Sequence, residues 1–295
     1  MTTQQITRRT VLKAGVLALA TPFLSKIEAL AAKPKATGLQ LYTLRDLMAK
    51  DPDGTIAKVA QIGYKKVENY GYGDGKFFGK TPKEYAALLK SHGLTAPSGH
   101  YGTGNAAPNQ KGTLTNDWSR AVDDAAELGQ QYMICAYLTP NERKTMDDYK
   151  RHADLFNKCA ETCKARGIQF GYHNHDFEFK AIDGQIPYDV LLKNTDSKLV
   201  KMELDLYWAV FAGKDPVELF KQSPGRYPLW HLKDMEKSES RAFAEVGTGS
   251  IDFARILKAK KTAGLVHGFV EQDVCKRPPF EAIAISYGNV QKLSI

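Results

Sequence analysis

Residues 168–206, IQFGYHNHDFEFKAIDGQIPYDVLLKNTDSKLVKMELDL, consist of two short apolar runs with an amphipathic segment between them. The runs at 168–175 and 199–206 are rich in branched and aromatic side chains, which is typical of β-strands. The segment near 187–195 has the apolar spacing of a helix. Both runs end in polar side chains. The stretch therefore predicts a strand-helix-strand unit that presents histidines and carboxylates where its strands end.

The same alternation continues along most of the chain. Further strands are predicted at 37–43, 64–70, 94–101, 131–137, 227–234 and 265–272, and further helices near 52–62, 81–92, 114–129, 144–166, 215–222, 252–262 and 280–291. Eightfold alternation within about 260 residues is typical of an α/β fold of the (β/α)8 TIM barrel class with a single domain. An open, doubly wound sheet is disfavoured because no G-x-G-x-x-G follows the first predicted strand.

The first 31 residues have the composition of an export signal rather than of a folded domain. The pair Arg8-Arg9 precedes an apolar stretch that ends in the small residues of Ala29-Leu30-Ala31. The segment resembles a twin-arginine signal, with Val11 at a position where Phe is usual. A membrane anchor is the alternative, but Lys26 and Glu28 interrupt the stretch before it reaches about 18 apolar residues. We expect an exported, periplasmic protein with a signal at 1–31, a barrel at 32–295 and no stable membrane span after processing.

Charge and cysteine content exclude several other classes of function. Removing the leader would take away four basic residues and one acidic residue, which lowers the formal charge from +8 to +5. That excess is modest, and no basic run interleaved with aromatics suggests a nucleic-acid partner. Cys159 and Cys163 share a helical stripe with apolar residues and are expected in the core, and no cysteine pair has metal-binding spacing.

Polar side chains recur where the last four predicted strands end, and a (β/α)8 barrel places its active site at those ends. They are His173 and His175, Glu203 and Asp205, His231 and Lys233, and Glu271 and Asp273. The steps from His173 to Asp205, His231 and Glu271 are 32, 26 and 40 residues, each about one strand-helix unit. A cluster of nitrogen and oxygen donors without thiolate suits one divalent ion such as Mn²⁺, Co²⁺, Zn²⁺ or Mg²⁺. Glu203 is either a support for the cluster or an interior charge paired with Lys201.

Several segments together resemble the sugar phosphate isomerase/epimerase family of xylose isomerase-like TIM barrels. They are GLQLYTLRD (38–46), YHNHDFEF (172–179), ELDLYWAVFAGKDP (203–216), HLKD (231–234), EVGTGSIDF (245–253) and GFVEQD (268–273). The resemblance implies one metal held by Glu, Asp, His and Glu from strands five to eight, of which the last three map onto Asp205, His231 and Glu271. The family's first ligand falls on His173, so either His173 binds the metal or the nearby Glu178 replaces it. We favour Glu178.

The resemblance also implies a chemistry, which is proton abstraction next to a carbonyl by a sugar isomerase or epimerase. The catalytic candidates are Glu271, His173, His175 and Lys233. Family epimerases use two carboxylates on opposite faces of the substrate, and a histidine pair in place of one of them makes a lyase or hydratase on keto-sugars an open alternative. A sugar-binding barrel without catalysis is the third alternative.

Other residues on the same rim are candidates for substrate binding, namely His100, Trp208 and Glu68. The glycine-rich VGTGS at 246–250 precedes a predicted helix and could cradle a phosphate. Exported enzymes meet few sugar phosphates, so we expect a small, unphosphorylated sugar or keto-sugar as substrate. The sequence leaves the oligomeric state open.

Overall fold

The computed structural model describes residues 37–293, in which eight parallel strands close into a barrel. The strands in chain order are β1 (Gly38–Gln40), β2 (Lys66–Asn69), β3 (Thr95–Tyr101), β4 (Tyr132–Cys135), β5 (Gln169–His173), β6 (Val200–Asp205), β7 (Leu229–Leu232), β8 (Asp234–Met235), β9 (Phe243–Ala244) and β10 (His267–Val270). The barrel order is β1-β10-β7-β6-β5-β4-β3-β2, and β8 and β9 form a separate antiparallel pair. The single-domain TIM barrel predicted from the sequence is confirmed.

Helices connect the strands and surround the barrel. They are α1 (Arg45–Lys50), α2 (Pro52–Ile62), α3 (Pro82–Ser91), α4 (Trp118–Leu128), α5 (Met146–Lys164), α6 (Pro187–Asn194), α7 (Leu206–Phe211), α8 (Pro216–Gln222), α9 (Phe253–Lys258), α10 (Lys260–Ala263) and α11 (Pro279–Val290). Short 3-10 segments lie at Leu41–Leu44, Pro140–Glu142 and Phe177–Phe179. Side-chain caps fix several helix starts: Thr81 forms a capping box with Glu84 on α3, and Asp215 accepts from the N–H of Val217 on α8.

The helices differ from the sequence-based expectation in four places. The predicted helix at 252–262 divides at Ala259 into α9 and α10, and the one at 114–129 begins only at Trp118. Residues 113 and 116 instead close a small turn through an isolated bridge. Helices α1 and α7 were not anticipated because each follows its strand with almost no loop. In α7 the side chain of Asp205 caps the helix by accepting from the N–H of Trp208 at 2.9 Å.

The strand register brings the polar strand ends to one level and fills the barrel beneath them. Backbone pairing sets His173 opposite Glu203, and Asp205 opposite His231. Deeper inside, Ile134 and Phe269 belong to a small buried apolar cluster. Gly38 and Gly171 make room for it, since an added Cβ would lie 2.1 Å from the Phe269 ring and 2.7 Å from Ile134 Cδ1. The barrel is therefore a packed core with its ionisable groups at one end.

Within residues 37–293, no helix is long and apolar enough to cross a membrane. The predicted export signal at 1–31 lies outside the described residues. The four cysteines are unpaired, and Cys135, Cys159 and Cys163 are buried in the core.

Candidate metal centre and substrate cavity

Four side chains from consecutive barrel strands meet at the carboxyl ends of β5, β6, β7 and β10. They are His173, Asp205, His231 and Glu271, and one donor atom from each lies within 4.8 Å of the donor atoms of the others. All four side chains are buried. Nδ1 of His231 lies 2.7 Å from Glu271 Oε2 and 3.9 Å from Asp205 Oδ2, and Nε2 of His173 lies 3.8 Å from the same Asp205 oxygen. We refer to these four side chains as the ligand cluster.

The ligand cluster suits a divalent cation for two reasons, which are its donor atoms and a buried carboxylate oxygen that lacks a hydrogen bond. Two imidazoles and two carboxylates are a donor set that Mn²⁺, Co²⁺ and Zn²⁺ accept. Asp205 Oδ2 is buried and makes no hydrogen bond of good geometry to the described residues, although Lys233 Nζ lies 2.9 Å away as an ion pair. Burial raises the pKa of Asp205 to about 6 against the opposing charge of Lys233. A carboxylate held in this way is stabilised by additional positive charge.

Glu178 lies apart from the ligand cluster. Its carboxylate is completely buried and accepts from the Tyr172 hydroxyl at 2.6 Å and from the His175 N–H at 2.9 Å. Burial raises its pKa to about 8. The structure brings His173, and not Glu178, to the other three candidate ligands. Glu178 instead fixes the backbone of the turn that follows β5.

A second set of contacts lies on the other side of the two cluster histidines. Oε2 of Glu203 lies 2.6 Å from His100 Nε2 and 3.2 Å from both His173 Nδ1 and His231 Nε2. Glu68 Oε2 lies 2.6 Å from His231 Nε2. We call Glu68 and Glu203 the inner carboxylates. Each cluster histidine thus has one ring nitrogen toward the ligand carboxylates and the other toward an inner carboxylate.

Glu68, a candidate for substrate binding in the sequence, is placed by the structure in this inner layer. It is completely buried and accepts hydrogen bonds from Gln40 Nε2 at 2.8 Å and Ser98 Oγ at 2.5 Å. It does not belong to the lining of the cavity above the ligand cluster. Sequence reasoning left open whether Glu203 supports the cluster, and it missed the two side chains that donate to Glu68, Gln40 and Ser98. The in-phase position of Glu203 two residues before Asp205 was the available signal.

Lys233 connects two ligand carboxylates. Its ammonium lies 2.6 Å from Glu271 Oε2, 2.9 Å from Asp205 Oδ2 and 3.0 Å from Asp273 Oδ1. Burial alone would lower the pKa of Lys233, but the charges of Asp205, Asp273 and Glu271 outweigh it and raise the pKa well above the usual value. For Glu271 burial would raise the pKa, but Lys233 and His231 hold it well below the usual range. Both groups are therefore charged at neutral pH.

The histidines of the site divide into two electrostatic classes. Burial lowers the pKa of His173 to about 3, aided by His231, and lowers that of His175 well below its usual value, aided by His173. Burial also opposes the charge on His100 and His231, but neighbouring carboxylates outweigh it and raise both pKa values. For His100 these carboxylates are Glu68 and Glu203. Imidazoles with a lowered pKa and imidazoles with a raised pKa are therefore neighbours in this site.

A cavity of about 520 Å³ opens above the ligand cluster. Its polar lining comes from two groups of strands, which we call its two walls: Glu271, Asp273 and Lys233 come from the ends of β10 and β7, and the imidazoles of His100, His173 and His175 come from the ends of β3 and β5. The lining residues are Tyr42, Arg45, Tyr70, Gly71, His100, Tyr101, Gly102, Ala136, Tyr137, His173, His175, Lys233, Glu271, Asp273 and Val274. Trp208 lies behind the lining, with its ring 5.8 Å from that of His175. A larger cleft of about 720 Å³ beside the start of α5 contains none of the predicted site residues, so the cavity over the ligand cluster is the candidate active site.

The glycine-rich loop at 246–250 is already filled by a side chain. The carboxylate of Asp234 accepts hydrogen bonds from the N–H groups of Gly247 at 2.9 Å, Gly249 at 2.9 Å and Ile251 at 3.1 Å. A Cβ on Gly249 would lie 2.4 Å from Asp234 Oδ1, so the close approach requires glycine. The donors that a phosphate would use are therefore engaged inside the protein.

Comparison with known proteins agrees with this fold and places it among sugar enzymes. A sugar phosphate isomerase/epimerase from Parabacteroides distasonis ATCC 8503 is 31% identical, with a TM-score of 0.75 over 89% of this chain and 95% of that one. An inosose dehydratase from Geobacillus kaustophilus (strain HTA426) is 24% identical over an alignment 278 residues long that covers 82% of this chain and 87% of the relative. The IolI protein, solved with a bound zinc atom, has a TM-score of 0.68 over 87% of this chain and 97% of its own. At 15% identity this last likeness shows the fold alone.

The family described as xylose isomerase-like TIM barrels matches residues 56–276, which is well over half of the chain. The matched range includes all four members of the ligand cluster and both inner carboxylates. The chain belongs to the xylose isomerase-like TIM barrel family.

Proposed function

We propose that this protein is a divalent-metal-dependent enzyme that removes a proton next to the carbonyl of an unphosphorylated keto-sugar. The observation that carries the proposal is the ligand cluster of two imidazoles and two carboxylates at the base of an open cavity. His173, Asp205, His231 and Glu271 would hold the ion. A divalent cation bound there would supply a Lewis acid that polarises the substrate carbonyl.

Glu271 is the proposed base. Its carboxylate lies at the end of β10, lines the cavity and stays ionised because Lys233 and His231 hold its pKa low. One carboxylate oxygen lies beside Lys233 and His231, so the other oxygen remains to meet the substrate carbon. Lys233 keeps the carboxylate in place and supplies positive charge beside the developing enolate.

The unequal walls of the cavity favour elimination over epimerisation. Epimerisation needs a second base on the opposite face of the substrate, and the described lining has carboxylates only on the wall of Glu271 and Asp273. The lining residues from β3 and β5 offer the imidazoles of His100, His173 and His175 instead. After Glu271 takes the proton, the C–H electrons form a carbon-carbon double bond, and the hydroxyl on the next carbon leaves as water with a proton from His100. The name of the inosose dehydratase relative agrees with this type of reaction.

An isomerase or epimerase is the second candidate, and sequence similarity supports it. The Parabacteroides relative carries the name sugar phosphate isomerase/epimerase at higher identity than the dehydratase. In that case the neutral imidazole of His175 would return the proton on the opposite face. The two reactions share the proton abstraction and differ in whether a hydroxyl is lost.

The glycine-rich loop supports a substrate without phosphate. Asp234 occupies its N–H groups, and a phosphate there would have to displace a carboxylate held by four backbone hydrogen bonds, to Met235, Gly247, Gly249 and Ile251. A cavity of about 520 Å³ is within the range that accommodates small-molecule ligands. Keto-sugars and inosose are therefore the first compounds to examine.

The test combines metal analysis with a screen in deuterated water. Protein prepared without chelator should hold about one divalent ion per chain, and a turned-over keto-sugar should lose water to give an unsaturated ketone. Return of unreacted substrate with deuterium and inverted configuration would support the epimerase. Absence of bound metal even after reloading would overturn the proposal.

We further propose that residues 1–31 direct export through the twin-arginine pathway. The sequence features that support this are Arg8-Arg9 and the apolar, small-residue stretch that follows. The receptor reads guanidinium groups, which lysine does not mimic. Replacing both arginines with lysine should therefore block delivery to the periplasm, as measured by fractionation, and normal delivery of the lysine variant would contradict the export route.

A further inference from the structure

Glu203 is a buried carboxylate whose contacts are almost entirely with histidines. The side chain is completely buried, and Oε2 is the atom that approaches His100, His173 and His231. Its other oxygen, Oε1, has no hydrogen-bond partner among the described residues. A pairing with Lys201, the alternative considered from the sequence, does not occur, because Lys201 Nζ donates to the Gly225 carbonyl at 3.1 Å. Glu203 is therefore not neutralised by a nearby lysine on its own strand.

The distances divide the three imidazoles between the two inner carboxylates. His231 Nε2 is 2.6 Å from Glu68 but 3.2 Å from Glu203, so its proton is directed to Glu68. His100 Nε2 is 2.6 Å from Glu203 and 3.4 Å from Glu68. His173 Nδ1 has Glu203 at 3.2 Å. Glu203 thus serves as the acceptor for His100 and His173.

Both cluster histidines have the geometry that metal-binding histidines need. Such a histidine uses one unprotonated ring nitrogen for the metal and donates the other N–H to a carboxylate, which fixes tautomer and ring orientation. In His173, Nδ1 faces Glu203 and Nε2 faces Asp205. The backbone register that sets His173 opposite Glu203 maintains this arrangement.

We propose that Glu203 is a positioning residue that holds His173 in the Nδ1–H tautomer, leaving Nε2 unprotonated toward the metal position, and orients His100 by the same oxygen. This inference rests on the metal centre of the proposed function. It assigns to β6 two carboxylates with different tasks: Asp205 binds the ion and Glu203 prepares a neighbouring ligand. Because side chains two residues apart on a strand share a face, Glu203 and Asp205 both point to the same side of β6, at different depths in the barrel.

The test compares Glu203→Gln with a matched control, Glu245→Gln. Glu245 is also largely buried but pairs with Arg277 at 2.7 Å, away from the ligand cluster. Titration of the apo protein with Zn²⁺ or Mn²⁺ should show roughly 10- to 100-fold weaker binding for Glu203→Gln. The control should remain within about twofold of the wild type. Nitrogen NMR of labelled histidine should show a smaller Nδ1–H fraction for His173 only in Glu203→Gln.

Glu203→Asp keeps the charge but shortens the side chain, and it serves if the glutamine variant does not fold. Its affinity for Zn²⁺ or Mn²⁺ should lie between those of the wild type and Glu203→Gln. The inference would be overturned, and the metal centre left intact, if a folded Glu203 variant had the metal affinity and the His173 NMR spectrum of the wild type. Two ions per wild-type chain and one per variant chain would also overturn it, because Glu203 would then be a ligand. Failure of the wild type to bind metal would instead overturn the proposed function.

Discussion

The two ends of the barrel each contain a buried histidine on adjacent strands, and the two have opposite electrostatics. His231, at the carboxyl end of β7, lies between Glu68 and Glu271. Burial opposes the charge on His231, but Glu203, Glu271 and Glu68 outweigh it and raise the pKa well above the usual value. His267, at the amino end of β10, has Lys66 Nζ 3.0 Å from its Nδ1. Burial, aided by Lys66, lowers the pKa of His267 to about 4. Position along the strand, and not residue type, separates the candidate metal ligand from the structural histidine.

The difference between the ends also shows where the fold accepts an energetic cost. Burying charged groups is unfavourable by several kcal/mol per ion unless they are paired. The ligand cluster and the groups in direct contact with it nevertheless include five carboxylates and one lysine; the carboxylates are Glu68, Glu203, Asp205, Glu271 and Asp273. The surplus of negative charge is what a divalent cation and cationic imidazoles would neutralise. Perturbed groups concentrated in a cavity are typical of functional sites.

The largest effect at the carboxyl end is expected from Glu271→Gln. Glutamine keeps the shape but cannot take a proton, so substrate turnover and solvent deuterium exchange should both fall by about 10²- to 10⁴-fold. The fold should persist because Lys233 still pairs with Asp205 and Asp273. Circular dichroism and exchange of the substrate α-proton, followed by NMR, measure the two properties. A variant that retains more than about a tenth of wild-type exchange would remove Glu271 as the base.

His100→Gln should separate proton removal from loss of the hydroxyl. His100 lines the cavity, and Glu68 and Glu203 raise its pKa, which favours its protonated form and makes it the proposed acid. The variant should form dehydrated product about 10²-fold more slowly while Glu271-dependent exchange with deuterium stays within about tenfold of the wild type. Product analysis and exchange are measured in one reaction. Equal losses of both would assign His100 to substrate binding instead of proton donation.

A pair of variants decides whether His173, at the end of β5, or Glu178, in the turn that follows, binds the ion. His173→Ala removes a donor whose Nε2 faces Asp205, and metal affinity should fall by at least about tenfold. Glu178→Gln changes a carboxylate that is held by Tyr172 and the His175 N–H, so metal affinity should stay within a few-fold. Both are measured by titration with Zn²⁺. The reverse ranking would restore Glu178 as the ligand favoured from the sequence.

Much of this site could be anticipated because a barrel converts sequence spacing into spatial proximity. Asp205, His231 and Glu271 recur once per strand-helix unit, and in a closed sheet that phase is enough to bring their side chains to one rim. The choice between His173 and Glu178 depended on the path of a short turn. Its 3-10 conformation and the Tyr172 hydroxyl, which direct Glu178 away from the cluster, have no signature in the sequence.

Other features depended on partners from distant parts of the chain. The N–H groups of the loop at 246–250 suggested a phosphate site, but the carboxylate that occupies them comes from Asp234, whose position after β7 gave no sign of this contact. Glu68 was placed on the rim with the other strand-end groups, although β2 sets it one layer deeper beside Gln40 and Ser98. Depth within the barrel is fixed by register between strands, which a single sequence does not reveal.

The smallest effect is expected at the amino end of the barrel, from His267→Gln. In the folded protein the neutral imidazole of His267 accepts from Lys66 at Nδ1 and lies 3.2 Å from Gln131 Oε1 at Nε2. Folding lowers the pKa of His267 from 6.5 to about 4. Between these two pH values His267 is protonated in the unfolded chain and neutral in the folded chain. Stability from this group is complete above pH 6.5 and is lost as the pH falls through that range.

His267→Gln should therefore leave activity and metal binding within about twofold of the wild type, because the ligand cluster lies at the other end of the barrel. The difference between the two proteins should emerge in urea unfolding as a function of pH. The wild type should lose stability relative to the variant between pH 6.5 and pH 4, and the curves should run parallel above pH 7, where neither folded nor unfolded His267 takes up a proton. Curves that remain parallel down to pH 4 would show that neither burial nor the Lys66 contact shifts the pKa of His267. Loss of metal binding in this variant would show that the two ends of the barrel are coupled.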